Sequence, residues 1–192
     1  MHRMINRRAF FVVILLSTLL AGCSSVFGQS PGERADGAIV EANEAIAEHN
    51  RLFEQARSTY ADVKQEIEAG NDPSAQQDRI TEARGRMEEA RARLQDANES
   101  LGEVQDLDVD PAVKRYASTL SDAMEAQISA EDREIEFYAL LEDDPSLQNN
   151  REEAENLLEQ VGEGYEQAEN AYAEARQLAD ENPELIESTN GS

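Results

Sequence analysis

Apolar residues recur along this chain every seven positions, and a second apolar set recurs between them. After Pro31 the first set is Ile39, Ile46, Phe53, Tyr60 and Ile67, and the second is Ala42, His49, Ala56 and Val63. After Pro73, Ile80, Met87, Leu94 and Leu101 alternate with Ala83, Ala90, Ala97 and Val104. After Pro145, Leu147, Ala154, Val161, Ala168 and Ala175 alternate with Leu158, Tyr165, Tyr172 and Ala179. This spacing places both sets on one face of a helix, as in a coiled-coil seam. The stretch after Pro111 is less regular. There Val113, Ala117, Leu120, Met124, Ile128, Ile135 and Tyr138 follow a helical stripe that Glu131 interrupts.

The prolines punctuate this pattern. Each follows a residue suited to capping: Ser30-Pro31, Asp72-Pro73, Asp110-Pro111, Asp144-Pro145 and Asn182-Pro183. Proline is favoured at the first helical position, and Ser, Asp and Asn accept hydrogen bonds from the free amides there. Ser30 with Glu33 also makes a capping box, and Gly70 falls where a helix stop is wanted. The punctuation predicts helices over about 30–69, 73–105, 111–142 and 145–182, with a tail over 183–192. Each helix is on the order of 50 Å long. Short connections make neighbouring helices antiparallel. The expected fold is all-α: a long-helix antiparallel four-helix bundle with coiled-coil-like seams. Two extended hairpins that complete their cores by dimerising are the alternative.

The first 22 residues have a different pattern. His2, Arg3, Arg7 and Arg8 form a basic start, and an apolar run from Ala9 to Leu20 follows. That run is shorter than the roughly 20 residues a membrane span needs, and it reads as an export signal. Leu20-Ala21-Gly22-Cys23 resembles a lipobox, the signal for attaching lipid to a cysteine, with cleavage after Gly22. The resemblance implies a diacylglyceryl group on Cys23, which anchors more firmly than a single chain does. Cys23 is the one cysteine in the sequence, so a disulfide framework and a Cys-based zinc site are excluded. Arg7-Arg8-Ala9-Phe10 is similar to a twin-arginine export motif, with Phe11 in place of the usual leucine. Residues 23–29 then form a tether between the membrane and the bundle. The expected location is the outer face of the cytoplasmic membrane.

The formal net charge is −24, with 41 acidic against 17 basic residues. Removing the leader takes away three arginines and no acid, so the remaining chain is more acidic still. Its only lysines are Lys64 and Lys114. Dense carboxylates with Arg replacing Lys resemble the composition of proteins from salt-in halophiles, where molar salt screens the repulsion. The same charge excludes nucleic acid as a natural partner, because phosphate binding needs clustered Lys and Arg.

Few residues carry chemistry. His49 is the only histidine after the leader and lies on an apolar seam. In register, Gln127, Glu131 and Gln167 fall near its level, which predicts a polar core layer that fixes pairing or meets a ligand. A ferritin-like di-iron centre needs Glu-x-x-His motifs, but Ile46 stands three before His49 and no second motif exists. Asp106-Leu107-Asp108-Val109-Asp110 starts like an EF-hand loop, then places Pro111 at the glycine position and Ala117 at the bidentate glutamate position. It reads as a loop ending in a helix cap. Gly162 and Gly164 mark a kink, a close helix contact or a ligand-access point in the fourth helix. Asn98-Glu99-Ser100 and Asn190-Gly191-Ser192 match the N-glycosylation pattern.

No catalytic constellation, phosphate loop or metal signature is present in the sequence, and no cofactor is expected. The first functional expectation is a non-enzymatic, lipid-anchored module for assembly with protein partners or with itself at the cell surface. The second is a sensory or solute-binding accessory domain with a small ligand between the helices. It is similar in outline to the four-helix sensor domains of chemoreceptors. A polar pocket around His49 favours the second, and an apolar patch outside the seams favours the first. For the anchor, Cys23→Ser protein is expected to leave the membrane fraction. Retention of this variant after a carbonate wash overturns the lipid-anchor reading.

Overall fold

The computed structural model describes residues 29–182. The leader residues Arg7, Arg8, Phe10, Gly22 and Cys23, and Asn190 in the tail, lie outside them. Four helices account for most of the described chain: α1 Pro31–Glu68, α2 Gln77–Glu103, α3 Pro111–Asp143 and α4 Arg151–Glu181. There is no strand among the described residues. The all-α bundle expected from the sequence is the observed fold. None of these helices is long and apolar enough to cross a membrane.

Local chemistry sets the ends. Ser30 Oγ accepts from the Glu33 amide at 3.2 Å, and Glu33 accepts from the Ser30 amide at 2.7 Å. This reciprocal pair satisfies two of the free donors at the start of α1. Gly70, at φ 90°, ends the helix. The Asn71 amide reaches the Glu66 carbonyl and the Gly70 amide the Ile67 carbonyl, the pairing of a Schellman stop. Asp72-Pro73 opens a short 3-10 turn, Pro73–Gln76, that leads into α2. Asp110 caps α3 by accepting from the Ala112 amide at 2.8 Å.

The start of α4 departs from expectation. Asp144-Pro145 opens no helix; α4 begins six residues after Pro145, at Arg151. The Asp144 carboxylate accepts instead from the Ser146 hydroxyl at 3.0 Å and from the Asn149 amide at 2.9 Å. The Asn149 amide, first among these donors, holds its carboxyl below the ordinary value. A side chain that gathers nearby donors offers the backbone an alternative to helix. Leu147 adopts φ 52°, which no right-handed helix contains. Its side chain packs against the core, and that contact holds the conformation.

The seam of α2 and the turn after it is buried as the seven-residue pattern predicts, whereas on α1 Phe53, Tyr60 and Ile67 are half-buried. Ile80, Met87, Leu94 and Leu101, with Ala83, Ala90, Ala97 and Val104, are at most 1% exposed. Near the start of α4 Ala154 and Leu157 are buried, while Leu158 is exposed. A helix of 3.6 residues per turn drifts across a seven-residue frame, so the stripe moves from Leu157 towards the Tyr165 and Tyr172 positions. α3 packs on both α2 and α4. It therefore buries a wider arc, including Phe137 and Leu141, than its irregular stripe suggested.

Packing follows chain order: α1 on α2, α2 on α3, α3 on α4. Side-chain bonds set the register. Arg79 reaches Asp62 and Arg86 reaches Gln55 between α2 and α1. Arg84 pairs with Glu142 and Arg91 with Asp132 between α2 and α3. Partner numbers fall on one helix as they rise on the other. α1 and α4 share no extended backbone contact. The apolar core has two parts. One joins Ile39 and Ile46 to Leu94, Leu101, Leu120, Met124 and Ala175. The other joins Val63 to Ile80, Met87, Phe137, Tyr138, Ala154 and Leu157.

Gly164 marks a tight approach of α3 and α4. A Cβ there stands 2.8 Å from the Ala130 Cβ, whereas one at Gly162 meets nothing. Close packing, in an uninterrupted helix, accounts for Gly164, and the access-point reading is withdrawn. Gly164→Ala is expected to lower stability by about 1–3 kcal/mol through overpacking. Gly162→Ala is expected to raise it by about 1 kcal/mol through helix propensity. Thermal unfolding of the two variants checks this, and equal effects contradict the close contact.

Candidate functional site

Between the two apolar cores lies a belt of polar and aromatic side chains. His49 sits on α1, with Phe53 and Arg57 one and two turns further on. α3 supplies Gln127, Glu131, Glu134 and Tyr138, and α4 supplies Tyr165 and Tyr172.

The His49 Nε2–H donates to Glu131 Oε1 at 2.7 Å, with both side chains essentially excluded from solvent. The Gln127 amide donates to the same oxygen at 2.9 Å. His49 Nδ1 stands 3.1 Å from the Asn50 amide oxygen. Glu131 Oε2 is buried without a hydrogen-bond partner among the described residues. Removing one member of a buried pair of this kind costs about 3–5 kcal/mol, because the other is left uncompensated.

A second cluster adjoins it. Arg57 donates twice to Glu134, through Nε at 3.3 Å and Nη2 at 2.9 Å. The Tyr138 and Tyr165 hydroxyls donate to the same carboxylate at 2.7 Å and 2.8 Å. The Arg57 guanidinium carbon lies 4.6 Å from the Phe53 ring centre and 4.7 Å from that of Tyr165. Partial burial works against its charge, but the Glu134 carboxylate outweighs it and holds the group above its ordinary value. Phe53 stacks on His49 at 5.4 Å and meets the edge of Tyr165 at 5.8 Å. Both clusters are therefore locked to one aromatic column.

A cavity of about 130 Å³ opens at this level. Its walls are Ile46, His49, Asn50, Phe53 and Arg57 from α1, Leu94 from α2, Gln127 from α3, and Tyr165, Ala168, Glu169 and Tyr172 from α4. It exists because Ala168 places a methyl group between two tyrosines and because α1 and α4 do not close on each other. An apolar cavity of about 150 Å³ holds a benzene molecule, so this one suits a ligand body of that order. Among the described residues there is no group of three or more His, Cys, Asp or Glu placed to hold a metal ion.

The structure brings His49, Gln127 and Glu131 together, as their seam positions predicted. Gln167 is exposed on α4 and takes no part. Asn98 is half-buried, and its side chain accepts from the Ser121 hydroxyl across α2 and α3. That bond engages Oδ1 and not Nδ2, the atom a glycan joins. Asp110 caps α3, as the loop reading of 106–110 required. Sequence reasoning missed Arg57, Glu134 and Asn50. The signal for Glu134 was its place three residues after Glu131 on the same helix face. Arg57 carried only its adjacency to the seam residue Ala56. No family model, no curated protein and no solved structure matches the chain.

All five tyrosines carry hydroxyls held above their ordinary value, chiefly by burial. Tyr60 is pushed up to about 12 by burial, with the Glu134 charge adding to it. The folded protein thus keeps protons that the unfolded chain releases. Their contribution to stability is complete below the unfolded value near 10 and is lost as pH rises through the folded values. Phenolate absorbance and loss of helical circular dichroism are expected in one cooperative transition above about pH 10. Phenols that titrate near pH 10 with the helices intact contradict this burial.

Proposed function

We propose that this chain is a lipid-anchored, extracytoplasmic accessory domain that binds a small ligand between its helices and acts by binding, without catalysis. The observation that carries the reading is the cavity at the His49 level. It combines a mostly apolar wall with a few fixed polar groups, the composition of small-molecule sites. The polar groups are held before any ligand arrives. His49 and Gln127 are tied to Glu131, and Arg57 is tied to Glu134 and flanked by two rings. Preorganisation of this kind lowers the cost of binding.

Ligand binding takes precedence over protein assembly for a second reason. Among the described residues the large apolar side chains that stand exposed are Val40 and Leu158, on different helices. Assembly through an apolar face needs more than scattered residues. The anchor at Cys23 supplies the location, and a membrane partner supplies any signal or transport step.

Ala168→Leu tests the reading, because a larger side chain there fills the cavity while keeping the apolar wall. Thermal unfolding in molar KCl is measured with a panel of small anionic, neutral and cationic metabolites. A ligand at about 100 times its Kd raises stability by about 2.7 kcal/mol, which is several degrees for a domain of this size. At least one compound is expected to shift the native protein and to leave Ala168→Leu unmoved. If no compound shifts the native protein, ligand binding fails. Shifts that persist in Ala168→Leu place binding outside this cavity and also overturn the reading.

A further inference from the structure

Resting on that reading, we infer that the cavity selects a compact organic cation: a ring or short apolar body of roughly benzene size that carries one positive charge. Three observations converge on this class.

The first is the charge around the cavity. Arg57 lines it, but its charge is compensated by the two-point bond to Glu134. His49 lines it, but its Nε2–H is committed to Glu131. Glu169, on the wall and exposed, has no cationic partner among the described residues. Of the charged groups on the wall, Glu169 is therefore the one without a compensating partner among the described residues, while Glu131 and Glu134 stand behind the wall as the partners of His49 and Arg57.

The second is the aromatic lining. Phe53, Tyr165 and Tyr172 line the space together with the apolar Ile46, Leu94 and Ala168. Ring faces attract cations, more strongly where water is excluded. Arg57 already rests against Phe53 and Tyr165, so Tyr172 is the lining ring left for a ligand cation. The third is the whole-chain charge of −24, which raises the local concentration of cations and repels anions. Molar salt screens this long-range part, whereas charges at a partly buried site are screened much less. Selection therefore depends on the cavity itself.

An isosteric series reads the charge preference directly. Benzylamine, benzyl alcohol and benzoate share one ring and differ by a unit of charge at each step. Titration calorimetry in molar KCl is expected to give benzylamine the lowest Kd, at least tenfold below benzoate, with benzyl alcohol between. Glu169→Gln is exposed and conservative, so the fold is retained; benzylamine is expected to weaken several-fold and benzyl alcohol to stay unchanged. Ala168→Leu is expected to abolish binding of all three. Benzoate binding as tightly as benzylamine overturns the cation inference and leaves a ligand cavity standing. So does an equal Kd for the alcohol and the amine. Failure of all three probes on the native protein counts against the cavity as a ligand site and so against the reading beneath it.

Discussion

The buried bond between His49 and Glu131 is the constraint around which the bundle is arranged. A histidine and a glutamate on different helices, both excluded from water, tolerate only the register in which they meet. Sliding α1 against α3 by one turn leaves a carboxylate buried alone, at a cost of several kcal/mol. Apolar seams lack this selectivity, because alanine and leucine pack acceptably at many offsets. The Glu134 cluster sets a second such condition, with Arg57 and two tyrosine hydroxyls converging on one carboxylate. The helices are therefore held by apolar area and aligned by polar bonds.

The same belt divides the interior. An apolar core lies on each side, and between them the side chains are large, polar or aromatic. Large groups fixed by directional bonds pack less completely than aliphatic ones. Space remains where α4 offers only the methyl group of Ala168. The feature that fixes register thus also leaves the cavity. The structural role of this belt and the binding role proposed for it rest on one set of residues, and the proposed ligand meets groups already held in place.

Stability and charge pull in opposite directions here. The surface carries many more carboxylates than cations, and its ion pairs are mostly exposed and local, such as Arg51 with Glu48 and Arg151 with Glu155. Pairs of this kind contribute roughly 0–1 kcal/mol each. Cohesion comes from the alanine-lined contact of α1 with α2 and from the close approach of α3 and α4 at Gly164. Small residues at these contacts let the helix axes draw together.

The seven-residue spacing of apolar residues determined the all-α bundle, the buried face of α2, most of that of α1, and the position of His49 inside it. Caps and turn residues determined where α1 and α3 begin and where α1 stops. These are local or periodic properties, so a single chain displays them. The place of His49, Gln127 and Glu131 at one level was also legible, because equal distances from the helix ends bring seam residues to equal heights. Tertiary structure alone decided the rest. Asp144 gathers turn donors and delays α4, Leu147 holds a left-handed conformation against the core, and Asn98 faces Ser121. Arg57 and Glu134 meet although neither position marks its partner. The cavity depends on α1 and α4 failing to close over Ala168, a property of helix axes in space that no spacing along the chain encodes.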